Sequence, residues 1–255
     1  MDARVGRVAI LARRMSPTLY GLSQSPWTER ARWALEHHSI AYAYHEHVPM
    51  VGEVLLRRKA RTKSASVPLL VDGDDVVMGS FEIARHVERS GRGVSLFPSD
   101  KEAEIAAWVD LADRMARAGR AWLMHRLLAS KAAQAEALPA FVPGFLRGAL
   151  APSAAMATRF LVKKYDVPRD PATVARTLRP LLEEIRAAIA RSPQLLGTES
   201  FSVADLSVAA ALQVLRPRGD SGLGPATREA WTNDDMAREF GDLLDWRDAI
   251  YRKHR

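Results

Sequence analysis

Cysteine is absent from all 255 residues, and that absence removes disulfides, thiolate metal sites and cysteine nucleophiles together. Any sulfur chemistry must use a thiol carried in by a ligand. No apolar run approaches the roughly 18 residues that suggest a membrane span; the most apolar stretch, 203–215, carries Asp205 and Ser207 and reads as a buried helix. Aromatic residues are sparse at 7% and stud no basic motif. The net charge of +7 is spread over dispersed arginines, so it reads as a compositional habit and not as a nucleic-acid footprint. His37, His38, His45 and His47 have no acidic cluster beside them at ligand spacing, which leaves them as solvated or core-edge histidines and argues against a metal.

What is present suffices for a core. At 47% hydrophobic residues the chain can bury two modest domains or one large one. Residues 1–16 carry Arg4, Arg7, Arg13 and Arg14 against the single acid Asp2. They lack the apolar region and cleavage site of a targeting peptide, so a disordered extension upstream of the first strand is expected.

Periodicity places a strand at 18–22, a helix at 26–38 with proline in its first turn, a second strand at 40–48, and a basic helix plus loop at 54–63. Next, Val67-Pro68-Leu69-Leu70-Val71-Asp72 runs through an Asp72-Gly73 turn to a second short run and Gly79-Ser80-Phe81-Glu82-Ile83-Ala84. This is strand, hairpin, strand and a serine-capped helix ending near Gly91. Beyond a linker at 96–99 the pattern is helical, over 102–129, 152–165, 171–191 and 203–215, punctuated by Pro139, Pro143, Pro152, Pro168, Pro193 and Pro217. Ser202-Val203-Ala204-Asp205 has the spacing of a capping box, with Phe201 and Leu206 as its hydrophobic staple.

The proline-hairpin-serine run, the loop Gly21-Leu22-Ser23-Gln24-Ser25-Pro26-Trp27 and the Ser202-x-x-Asp205 box together resemble the cytosolic glutathione transferases, over about residues 17–215. The loop is similar to the Ser/Cys-Pro-aromatic loop of tau-like and omega-like classes, with serine where omega members carry cysteine. The resemblance implies an α/β thioredoxin-like N-terminal domain (17–93) and an all-α C-terminal domain (100–255), in a cytoplasmic, homodimeric detoxification enzyme. It implies glutathione as co-substrate, a small hydrophobic electrophile as second substrate, and no metal.

Residue by residue, the resemblance makes Ser25 the hydroxyl that stabilises the glutathione thiolate, with Ser23 as its rival and a plain N-cap as the local alternative. Pro68 would be cis and present the Val67 backbone to the peptide, while Ser80 would bind the γ-glutamyl carboxylate. The departure is Gly79, where the family usually has Glu, Asp or Gln to help hold the γ-glutamyl amine. Arg58 and Lys63 are candidates for the glycine carboxylate, within a basic run that otherwise reads as a solvated face. Trp27, Trp108 and Met115 are candidates for the electrophile pocket, core packing being the default for the last two. The remaining alternatives are a glutathione-dependent isomerase or dehalogenase, and a binding or regulatory protein that keeps the fold without catalysis.

Overall fold

Leu19 and Leu70 face one side of a four-stranded sheet while their neighbours Tyr20 and Leu69 face the other, as the two-residue period of a strand requires. The computed structural model describes residues 16–89, 92–138, 142–168 and 170–255. Gly91, Pro139 and nearly all of the basic extension lie outside the described residues. The sheet is built from β1 (Thr18–Gly21), β2 (Ala43–Glu46), β3 (Leu69–Asp72) and β4 (Asp75–Met78) in the order β2-β1-β3-β4. β1 pairs parallel with β2 and antiparallel with β3, and β3 pairs antiparallel with β4.

Helices α1 (Pro26–His37) and α3 (Ser80–Glu88) cover the Leu19/Leu70 face and join the main core. Helix α2 (Glu53–Ala60) covers the other through Leu56, in a small separate cluster with Tyr20, Ala65 and Leu69. The hairpin loop is Gly73-Asp74, one residue later than the sequence indicates. Asp72 and Asp75 are the last paired residues, and Gly73 takes φ +62 at the first loop position, which an L side chain resists.

The rest of the described chain is helical: α4 (Glu102–Ala129), α5 (Lys131–Glu136), α6 (Gly144–Lys164), α7 (Pro171–Ile189), α8 (Val203–Ala211) with a 3₁₀ turn at Leu212–Val214, α9 (Pro225–Trp231), α10 (Asp234–Glu239) and α11 (Gly241–His254). Every residue of α8 is buried, with α4, α1 and α11 packed around it. The capping box at its start forms as expected. The buried Asp205 carboxylate accepts from the Ser202 backbone N–H (3.0 Å), the Ser202 hydroxyl (2.8 Å) and the Leu195 N–H (2.8 Å).

Pro152 does not break a helix. It lies inside α6, which starts eight residues before the expected 152. An internal proline costs about 3 kcal/mol through one lost backbone bond and ring crowding; burial of Ala151, Ala154, Ala155 and Thr158 against α4 and α5 keeps the helix continuous.

The helical part is locked to the sheet along α1. Trp33 Nε1 donates to the His254 carbonyl (3.1 Å), the Tyr251 hydroxyl donates to Glu29 (3.2 Å), and Arg255 pairs with Glu29 (3.1 Å) and Glu36 (2.8 Å). No described helix is long and apolar enough to cross a membrane.

Candidate functional site

A cavity of about 1000 Å³ opens between the ends of β1, β3 and α3 on one side and α4, α6 and α9 on the other. Ser23, Ser25, Trp27, Val67, Pro68 and Ser80 all line it. The topology explains the meeting: β1 and β3 are neighbours, so the loop after β1 and the segment before β3 end at the same edge of the sheet. The Val67–Pro68 peptide bond is cis. The Pro68 carbonyl accepts from the Gly79 N–H (3.0 Å), which ties the third strand's entry to the start of α3.

Ser25 occupies the N-cap position of α1, yet its hydroxyl makes no capping bond. The loop is held by other groups: Ser25 N–H to the Leu22 carbonyl (2.9 Å), Leu22 N–H to Thr28 Oγ1 (3.1 Å), and Ser23 N–H to both oxygens of Glu46 (3.1 and 3.2 Å). Ser25 lines the cavity, its hydroxyl has no hydrogen-bond partner among the described residues, and it stands at a helix start, where backbone N–H groups are unpaired.

Ser80 is not a cap either. The cap position belongs to Gly79 and Ser80 is the first helical residue; its buried hydroxyl accepts from Arg30 Nη1 (3.2 Å). Arg30, itself 2% exposed, also donates through Nη2 to Asp113 on α4 (2.7 Å), and Trp27 Nε1 donates to the same oxygen (3.0 Å). Burial pulls the Arg30 pKa below an arginine's ordinary value and Asp113 opposes it. Gly79 has φ +99, a conformation that side chains with a Cβ rarely adopt, and a Cβ there would have nothing nearer than Glu82 Cγ at 4.0 Å.

Several expected site residues stand elsewhere. Arg58 and Lys63 are exposed on and just beyond α2 and do not line the cavity. Met115 is fully buried and Trp108 packs against the same core. The reason is helical phase: the apolar stripe of α4 points at α7 and α8, whereas its cavity face carries Asp113, Arg117, Arg120, Leu123 and Leu127. An apolar-stripe reading selects the core side of such a helix. Nothing in the local sequence marks Arg30, Glu82, Asp113 or Arg120 as cavity residues; Arg30 and Asp113 are 83 positions apart. Among the described residues no group of His, Asp or Glu could hold a metal ion. His38 is bonded to Glu88 and His47 to Glu53.

Residues 19–93 match the family model described as glutathione S-transferase, N-terminal domain. The chain carries a glutathione S-transferase N-terminal domain. Over 92–94% of its length the chain shares the fold of solved glutathione transferases and related proteins. Solved structures that share it include a glutathione S-transferase of Ceriporiopsis subvermispora in complex with glutathione (TM-score 0.60, 15% identity, 94% of this chain and 98% of that one). Others are the beta-etherase LigF of Sphingobium sp. strain SYK-6 (0.60, 17%, 92% and 95%) and a delta-class glutathione transferase of Nilaparvata lugens (0.59, 14%, 93% and 89%). No curated protein matches in sequence. In transferase terms the cavity runs from the thioredoxin-like unit, which carries Ser25, Val67 and Ser80, to the helical wall of α4, α6 and α9.

Proposed function

We propose that this protein conjugates glutathione to small hydrophobic electrophiles, with the Ser25 hydroxyl stabilising the thiolate. The observation that carries this reading is the convergence on one cavity wall of an uncapped serine hydroxyl, the cis Val67–Pro68 segment and the buried Ser80. The Val67 backbone would pair with the peptide as an added strand, and Ser80, with the N–H groups opening α3, would take the γ-glutamyl carboxylate. Glu82 lines the cavity one turn from Gly79, and its carboxylate would take the γ-glutamyl amine that residue 79 cannot.

A free thiol has a pKa near 8.5, and lowering it by one unit takes about 1.4 kcal/mol. One hydrogen bond to a charged acceptor supplies roughly 1.5–3 kcal/mol, which suffices for one to two units. The thiolate then attacks the electrophilic carbon with no protein nucleophile, consistent with a chain that has no cysteine. The same thiolate would serve glutathione-dependent isomerisation or dehalogenation.

Calorimetric titration with glutathione, with the thiolate absorbance of the bound ligand followed in parallel, tests the reading. Ser25→Ala is expected to keep glutathione affinity within about threefold while losing the thiolate band and about 10- to 100-fold in kcat/KM, the scale of one such hydrogen bond. The missing carboxylate at Gly79 favours the other reading, a non-catalytic binding protein; no heat at millimolar glutathione would select it.

A further inference from the structure

Four arginines line the cavity: Arg30, Arg117, Arg120 and Arg147. Three have acceptors. Arg30 holds Asp113 and Ser80, Arg117 stands 3.9 Å from the other Asp113 oxygen, and Arg147 donates to the carbonyls of Val142, Ala135 and Leu138. Arg120 has no hydrogen bond and no carboxylate partner among the described residues, and its Nε is buried and unsatisfied. Instead its guanidinium carbon lies 5.0 Å from the Trp27 ring centre and 4.1 Å from that of Tyr165.

Most of the cavity's acids are committed elsewhere. Asp113 serves Arg30 and Trp27, Glu46 accepts from Ser23 and Tyr44, and Glu136 accepts from the Ala226 and Thr227 N–H groups opening α9. Glu82 rises from α3 on the opposite, sheet-side wall. A guanidinium always keeps its charge, and its flat faces stack on aromatic rings while its edge N–H groups remain free to bind an oxyanion in bidentate fashion. The same cavity is lined by Leu123, Met124, Leu127, Leu161 and Trp231, apolar side chains that offer an aromatic body its contacts.

We propose that Arg120 is the anion-recognising residue of the second-substrate site, so that the electrophile class is an apolar, aromatic-sized molecule bearing a carboxylate or sulfonate. This rests on the transferase reading above. It adds that the second substrate is held by charge at one end and by apolar contact along its body, with its reactive carbon left toward Ser25.

The test uses two fluorescent probes of nearly the same shape, 1-anilinonaphthalene-8-sulfonate and its uncharged counterpart N-phenyl-1-naphthylamine, titrated into the whole chain with and without saturating glutathione. The expected result is tighter binding of the sulfonate to the native protein and an approximately tenfold or greater loss in Arg120→Gln, recovered in part by Arg120→Lys. Affinity for the neutral probe should stay within about twofold, which shows that the variant is folded. Equal weakening of both probes, or no weakening of either, overturns the proposal. So does loss of glutathione affinity in Arg120→Gln with both probes unaffected, because Arg120 would then belong to the glutathione half. Failure of the native protein to bind glutathione, with the sulfonate preference intact, would sink the transferase reading and leave an Arg120-dependent anion site.

Discussion

Gly79 marks the point where residue chemistry and backbone geometry compete for one position. Its φ of +99 opens α3 and sends its N–H to the Pro68 carbonyl; the space beside it is open to 4.0 Å. A side chain would therefore meet strain and no clash. Gly79→Ala is expected to lower unfolding stability by about 2 kcal/mol, the usual cost of a non-glycine residue in a disfavoured backbone region. Chemical denaturation would read this as a lower midpoint at unchanged slope.

Element by element, α4 decides most of what the site can do, because one face builds the core and the other builds the cavity. Its close approach to the 3₁₀ turn depends on Gly119: an added Cβ would stand 2.2 Å from Val214 Cγ1 and 2.4 Å from Val214 Cβ. Gly119→Ala is expected to cost about 2 kcal/mol through overpacking. Differential scanning calorimetry should show little of that loss recovered when Val214→Ala is added, since the Val214 Cβ that alanine keeps would still stand 2.4 Å from the new methyl.

The sheet, the strand-hairpin-helix run and the α8 capping box were legible in the sequence because each is written in neighbouring residues: Val67-Pro68, Gly73, Ser202 with Asp205. Ser25 and Ser80 could be singled out as candidates for the same reason, and both line the cavity. Arg120 could not. Its meaning comes from Trp27 and Tyr165, which reach it from other elements, and from the absence of a carboxylate that no local pattern reports. Met115 lies in the core, the default for a methionine in an apolar stripe, and its residue type alone does not separate that from a pocket position.

At the scale of the whole molecule, the two parts are also tied through Glu53 of α2 and Lys164 of α6. Lys164 Nζ lies 2.9 Å from both Glu53 oxygens, and His47 Nε2 lies 3.2 Å from one of them. Burial pushes the Glu53 carboxyl up, but the Lys164 and His47 interactions outweigh it and hold the group below its ordinary value. Burial lowers the His47 pKa as well, so the ring is a neutral donor to Glu53. The folded chain binds this carboxyl proton less readily than the unfolded chain does. The tie therefore contributes in full above the ordinary carboxyl value of about 4.5 and fades as the pH falls through the depressed one. Glu53→Gln should cost about 2 kcal/mol at neutral pH. Thermal unfolding across pH should show its gap to the native chain closing as the acid range is entered, and a gap that widens there would reverse the assignment.

The Arg30 contact with Asp113 sets an order in time as well as a position in space. Ser25, Trp27 and Arg30 are early in the chain, yet Arg30 waits 83 positions for the carboxylate that lets it be buried, and α1 waits longer still for Arg255 to close on Glu29 and Glu36. During folding only the β3–β4 hairpin can form from local pairing; β1 must wait for Leu70, 51 positions on, to pair with Leu19. The loop before α1 is held within the N-terminal part, but Arg30 behind it is partnered only once α4 docks, so one of the first side chains of the cavity to be synthesised is among the later ones to be neutralised.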